Sequence, residues 1–231
     1  MLDLTPQDWT AVALSLRIAT VSTLVALPFG VAIAYVLARK DFWGKSLVDA
    51  LVHLPLVLPP VVTGYLLLIT LGRKAPVGAW LADHLGIVFA FRWTGAALAC
   101  GVMSFPLLVR PIRLSIEAVD RRLEQAAETL GAEPWRVFAT ITLPLALPGV
   151  LAGMVLGFAK AIGEFGATIT FVSNIPGETQ TISSAIYSLI QTPDGDTAAL
   201  RLVSVSVVMA MAALVGSEWF ARRATKRLHG H

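Results

Sequence analysis

Charge is scarce in this chain. Of its 231 residues only 14% are Asp, Glu, Lys or Arg, against roughly 25% in an ordinary soluble domain. Apolar residues make up 56%, they come in runs, and the mean hydropathy is +0.73. That balance excludes a water-soluble globule and places the chain in the membrane class. A formal net charge of +3 is too weak to point to a nucleic-acid partner. Cysteine is nearly absent: Cys100 stands alone inside an apolar run, so there is no disulfide framework, and it reads as a buried small hydrophobe. The four histidines, His53, His84, His229 and His231, show no metal-ligand spacing such as HExxH, so no metal is expected. His229 and His231 read as disordered tail. No nucleophile–base pair stands out, and an enzyme is not expected. Gly44-Lys45-Ser46 superficially looks like a phosphate-binding loop, but that motif needs a Gly five residues earlier, where Arg39 stands. No nucleotide or other cofactor should bind this chain. Internal repeats and low-complexity stretches are missing as well. The residues before the first apolar run carry Asp3 and Asp8 and no cation, so a secretory signal is not expected.

What is present is a series of long apolar runs. A spanning helix needs about 20 mostly apolar residues. Five stretches qualify, at about 11–38, 48–71, 94–112, 142–162 and 197–220, so the chain should be an all-α, multi-pass integral membrane protein. Five crossings put the termini on opposite sides, and the positive-inside rule chooses which. With the N-terminus outside, the inner segments hold twelve cations: Arg39, Lys40, Lys45; Arg110, Arg113, Arg121, Arg122, Arg136; Arg222, Arg223, Lys226, Arg227. The outer segments hold four: Arg73, Lys74, Arg92 and Arg201. Arg17 and Lys160 fall within spans. The orientation is N-out, C-in.

Three stretches within or between these spans carry further signals. The second span contains Pro55, Pro59 and Pro60, which cannot donate hydrogen bonds and must kink or break a helix. Broken backbone at membrane depth survives only where protein or a water-filled cavity covers it. The prolines are either a packed kink or a hinge beside a pathway. The fourth span carries Gly149, Gly153 and Gly157, each four apart, a spacing that lets two helices approach closely, at the centre of the bundle or at a dimer seam. Near its outer end, Lys160 and Glu164 are also four apart. Charge inside a membrane is costly and marks a functional site by default, though the two can equally pair along their own helix. Ser104 (before Pro106), Thr168 and Thr170 are candidate hydroxyls for a pathway or gate, although such residues commonly bond helix carbonyls. The segment at about 165–196 is too polar to cross. Ile182, Ala185, Ile186, Leu189 and Ile190 fall at helical spacing, so a short amphipathic helix is expected on the outer side.

The region at about 114–144 is different: charged, punctuated by Gly and Pro, and placed inside. Asp120 suits a helix N-cap, and the residues at 121–130 are mostly good helix formers. Gly131 fits the left-handed position that ends a helix, and Pro134 suits the first turn of a second one. Two short helices should meet at a glycine corner below the membrane, with Ala126 and Ala127 leaving a smooth face for another protein.

This segment resembles the EAA loop of bacterial ABC importer permeases: Glu-Ala-Ala, three residues, Gly, nine residues, Ile-x-Leu-Pro. Ala126, Ala127, Gly131, Ile141, Leu143 and Pro144 match at that spacing. Position 125 departs from it, being Gln125 with Glu124 just before; one charge is lost at the expected dock while the spacing is kept. The stretches 53–62 (His-Leu-Pro-Leu-Val-Leu-Pro-Pro-Val-Val), 103–107 (Met-Ser-Phe-Pro-Leu), 163–171 (Gly-Glu-Phe-Gly-Ala-Thr-Ile-Thr-Phe) and 174–182 (Asn-Ile-Pro-Gly-Glu-Thr-Gln-Thr-Ile) closely resemble the molybdate branch of that family. Sulfate permeases are similar around 163–166 and match less well from Asn174 on. The resemblance implies a single type I importer permease domain over 1–231, without catalytic residues of its own. It implies a homodimer in the bacterial cytoplasmic (inner) membrane and a pair of ABC ATPase subunits, which hold the ATP-Mg themselves and dock on the coupling loop. It also implies an external molybdate-binding protein and molybdate, with tungstate, as cargo. The rivals are a sulfate or other oxyanion permease and, from another class, an ion-coupled secondary transporter, whose inverted repeats and paired intramembrane carboxylates are not apparent.

Overall fold

The computed structural model describes residues 4–228. The expected tail at His229 and His231 lies outside the described residues, as do Asp3 and the side chains of Arg222, Arg223, Lys226 and Arg227. All regular structure among the described residues is helical.

Helix α1 (Pro6–Arg39) is 34 residues long, about 51 Å at 1.5 Å per residue, more than a bilayer core of about 30 Å requires. Its start is fixed by a capping box: Asp8 N–H donates to the Thr5 hydroxyl and Thr5 N–H to the Asp8 carboxylate. Helices α2 (Lys45–Val57) and α3 (Pro60–Leu71) follow. The sequence suggested one span here. The chain instead turns by 113° between α2 and α3, because Pro59 and Pro60 offer no N–H to carry the helix across; Pro55 sits inside α2. A short α4 (Pro76–Leu85) leads to α5 (Trp93–Glu117), which contains Pro106 and Pro111.

After α5 come α6 (Arg121–Thr129), α7 (Pro134–Val137), a π-turned segment Phe138–Thr142, α8 (Leu143–Leu145) and α9 (Leu147–Ile162). The fourth apolar stretch was expected to span from about Thr142 to Ile162. It bends by 70° at Ala146, and the long helix starts at Leu147, with Pro148 in its first turn, where a missing donor costs nothing. Then come α10 (Gly166–Val172), α11 (Ile182–Leu189) and α12 (Asp196–Leu228). The expected amphipathic helix is α11, started by the Thr181 hydroxyl and burying Ile182 and Ala185 against Ala11, Val12 and Leu202. Among the described residues, two helices, α1 and α5, are long and apolar enough to cross a membrane alone, and up to four spans exist if each bent pair counts as one.

Helix α5 is the axis. It packs against α1 and α9, and α10 packs against both α3 and α5. Small residues make these contacts close: Ala19, Ala34, Ala96, Ala99 and Ala146 are fully buried. Side-chain packing is the main source of helix association in lipid, where apolar burial gains little. One core cluster, with Ile18, Cys100, Met103 and Phe171, lies towards the α10 end; the other, with Leu108, Val109, Ile112 and Ile116, lies towards the α6 end.

Candidate functional site: a helical corner and a buried ion pair

The corner at one end of the bundle is built by local rules. Asp120 accepts from the Arg122 N–H at 2.9 Å and opens α6. Gly131 has φ +85°; its N–H donates to Glu128 O, and Ala132 N–H donates to Ala127 O. This pair of bonds closes a helix through a left-handed glycine. Pro134 then starts α7. Gln125 and Ala126 are exposed, Ala127 half-buried, and no residue of α6 is fully buried. Around them Leu123, Leu130 and Trp135 stand out in solvent, Leu130 at 88%. Exposed apolar side chains grouped beside a polar helix are one mark of an interaction surface. Ile141, Leu143 and Pro144 are half-buried where the corner returns to the bundle. In the turn between α1 and α2, the Lys45 ammonium donates to Asp41 at 2.8 Å, and that bond and charge hold the Asp41 carboxyl below its ordinary range.

Glu124 stands apart from its neighbours. Its carboxylate turns inward, accepting from Arg39 Nη2 at 3.0 Å and from the Thr142 hydroxyl. Its side chain is 14% exposed and that of Arg39 7%. The sequence placed Glu124 among the dock residues and counted Arg39 as a flanking cation; their contact spans 85 positions, and no periodicity could reveal it.

Towards the opposite end, Lys160 Nζ donates to Glu164 Oε2 at 2.7 Å. The other oxygen of Glu164 accepts from Ala167 N–H at 2.9 Å. Glu164 is 1% exposed and Lys160 30%. The carboxylate thus satisfies the start of α10 and neutralises the lysine in one place. Thr168 donates to Phe165 O and Thr170 to Gly166 O, while Ser104 donates to Gly101 O. Ser104, Pro106 and Thr168 are buried and Thr170 half-buried. These hydroxyls spend their hydrogens on their own helices.

Two breaks in the chain meet near this pair. A Cβ on Gly166 would lie 2.7 Å from Pro60 Cβ, and one on Gly64 would lie 2.5 Å from Ala167 O. The α2–α3 turn therefore rests directly on the α9–α10 turn. The glycine stripe of α9 faces α5 of the same chain. Cβ atoms at Gly149 and Gly153 would come within 2.2 Å of Ser115 Cβ and 2.5 Å of Leu108 O, whereas Gly157 has ordinary room at 3.5 Å. The sequence singled out Pro60 but not Gly64 or Gly166, and nothing in it revealed that Pro60 and Gly166 touch.

The pattern that describes the binding-protein-dependent transport system inner membrane component matches residues 26–226. The chain is 59% identical to the molybdenum transport system permease protein ModB of Escherichia coli (strain K12) over 224 residues, 97% of this chain and 98% of that one. It is 56% identical to the protein of the same name from Haemophilus influenzae over 219 residues, 95% and 96% of the two chains. Among solved structures, it superposes with a TM-score of 0.75 on a chain of the bacterial alginate ABC transporter in complex with alginate pentasaccharide-bound periplasmic protein. That match is at 21% identity and covers 97% of this chain and 82% of the other, which establishes a common fold.

Proposed function

The chain belongs to the family of binding-protein-dependent transport system inner membrane components, and from that membership we propose that it is the membrane-spanning subunit of an ATP-driven molybdate importer. Such a subunit catalyses no reaction itself. The observation that carries the reading is the corner of α6 and α7, with Gly131 at φ +85° and the exposed Leu130 and Trp135 beside Gln125 and Ala126. It is a preformed dock at the end of the bundle where the chain's cations gather. By the positive-inside rule that end is cytoplasmic. Counting each bent helix pair as one crossing, and adding to α1 and α5 the fifth apolar stretch at about 197–220 in α12, this reading has five crossings, N-out and C-in, in the bacterial cytoplasmic membrane.

Two copies flank the pathway, and two ATPase subunits, which hold the ATP-Mg, grip the two corners. An external binding protein delivers the oxyanion. Closure of the ATPase pair moves both corners and turns the pathway from inward-facing to outward-facing. A ligand or motor can shift such an equilibrium only through its differential interaction with the two states, and the corner is where that difference enters. Molybdate is the cargo supported by the relatives at 59% and 56% identity and by the motif at 163–182; tungstate, of the same charge and shape, should follow it.

The test is uptake of labelled molybdate into proteoliposomes holding this chain, its ATPase partner and the loaded binding protein. Uptake should require ATP and both partners, and unlabelled molybdate or tungstate should compete better than sulfate. Stronger competition by sulfate would reassign the cargo. Uptake that persisted without the ATPase and collapsed with an ionophore would make the chain an ion-coupled transporter instead.

A further inference from the structure

We propose that Glu124 is the strap that carries movement of the docking corner into the membrane helices, through Arg39 at the end of α1 and Thr142 at the end of the π-turned segment that leads through the bend at Ala146 into α9. This rests on the importer reading above and adds the route by which the motor's stroke leaves the dock.

Helix α6 is polar and buries no residue completely, so broad apolar packing does not fix it to the bundle. Specific bonds hold it. One oxygen of Glu124, Oε1, accepts from Arg39 Nε at 3.2 Å, from Arg39 Nη2 at 3.0 Å and from the Thr142 hydroxyl. Arg39 Nη2 also donates to Val119 O at 3.1 Å, just before α6, and Arg121 donates to Ala38 O at 3.4 Å. The last residue of α1, the first turns of α6 and the last residue of the π-turned segment therefore converge on one carboxylate.

Burial decides what such a joint can transmit. An exposed ion pair is screened by water and contributes little. With side chains 7% and 14% exposed, this pair lies where the effective dielectric is lower and its geometry is better held. Helices α1 and α9 both pack on α5, so displacing Glu124 loads α1 directly and α9 through the short segment at 142–146 that leads into it. The chain can also yield at this place. Thr142 closes a π-turned segment, a looser register often found at functional positions, and the 70° bend at Ala146 follows. Neighbouring residues on α6 divide the work: Gln125 and Ala126 face outward, and Glu124 faces inward.

The experiment uses the complete transporter in proteoliposomes, with molybdate-loaded binding protein, and measures molybdate imported per ATP hydrolysed. Glu124→Gln and Arg39→Gln should still assemble with the ATPase and hydrolyse ATP. Uptake per ATP should fall on the order of tenfold, the scale of a typical coupling between sites. The double replacement Arg39→Glu with Glu124→Arg should recover part of that ratio. An unchanged ratio in the single variants would overturn the proposal. So would a swap that stays uncoupled, or hydrolysis and uptake lost together in proportion to complex that fails to assemble, which would mark a merely structural pair. Wild-type vesicles without ATP-dependent uptake would remove the importer reading and this inference together; wild-type uptake with an unaltered ratio in Glu124→Gln removes the inference alone.

Discussion

Two glutamates, at opposite ends of the bundle, each neutralise a cation and satisfy a second donor, yet they do different work. Glu164 is bonded to Lys160, four residues before it, and to the N–H of Ala167, three after. It is a local fixture that seals the turn between α9 and α10. Glu124 reaches 85 positions back to Arg39 and 18 forward to Thr142. It is a tertiary strap. A local fixture can be rebuilt by its own segment, whereas a strap fails or holds as a relation between elements. The two ends also differ in water: Glu164 is 1% exposed and Glu124 14%.

The largest effect should come from stranding the drier carboxylate. Lys160→Met leaves Glu164 buried with its Ala167 bond but without a counter-charge. Removing one partner of a buried pair costs about 3–5 kcal/mol, read as a lower unfolding midpoint of the purified protein. Lys160→Met combined with Glu164→Gln should recover most of the loss, since the neutral amide can still accept from Ala167. Arg39→Met should cost less, because Glu124 has water within reach. A larger loss from Arg39→Met than from Lys160→Met would reverse the comparison of the two ends.

Next in size is a test of how closely the helices approach at their glycines. The α10 end is crowded at its glycines: a Cβ on Gly64 would meet Ala167 O at 2.5 Å and Thr170 Cβ at 2.9 Å. Backbone cannot step aside as a flexible side chain can. Gly64→Ala should therefore destabilise by about 1–3 kcal/mol, the usual cost of overpacking. Gly153→Ala, 2.5 Å from Leu108 O, belongs with it, while Gly157→Ala, at 3.5 Å, should be close to neutral. Equal losses at Gly153 and Gly157 would mean that the α5–α9 contact is looser than described.

The same contrast explains what the sequence could disclose. The corner obeys rules that act within a few residues. Asp120 caps because its carboxylate reaches the Arg122 N–H, Gly131 turns because it has no Cβ, and Pro134 starts a helix because no donor is needed there. Lys160–Glu164 was visible for the same reason, being one helical turn apart. The strap was not, because nothing local to Arg39 or Glu124 names the other. Nor were the 113° turn after Val57 and the 70° bend at Ala146. A hydropathy window sums apolar character over about 20 residues and returns the same value whether the run is straight or folded. Prolines announced a break in the first case, but its angle is set by where α3 finds α10, through Pro60 and Gly166.

The smallest effect separates a glycine kept for conformation from one kept for space. Gly131 has φ +85°, and a Cβ there would meet nothing within 4 Å. Gly131→Ala therefore creates no clash and costs only the strain of a left-handed residue, about 1 kcal/mol. That strain falls on the last turn of α6, an element without a fully buried residue, so the unfolding midpoint of the bundle should hardly move. What should change is docking. If the ATPase binds only the native corner, about 1 kcal/mol weakens its association by about fivefold. Gly131→Asn should weaken it less, because Asn enters the left-handed region more readily than other side chains. Titrating the ATPase against the detergent-solubilised protein gives the ratio. A Gly131→Ala midpoint loss as large as that of Gly64→Ala would show the corner to be packed into the bundle rather than tied to it by the Glu124 strap.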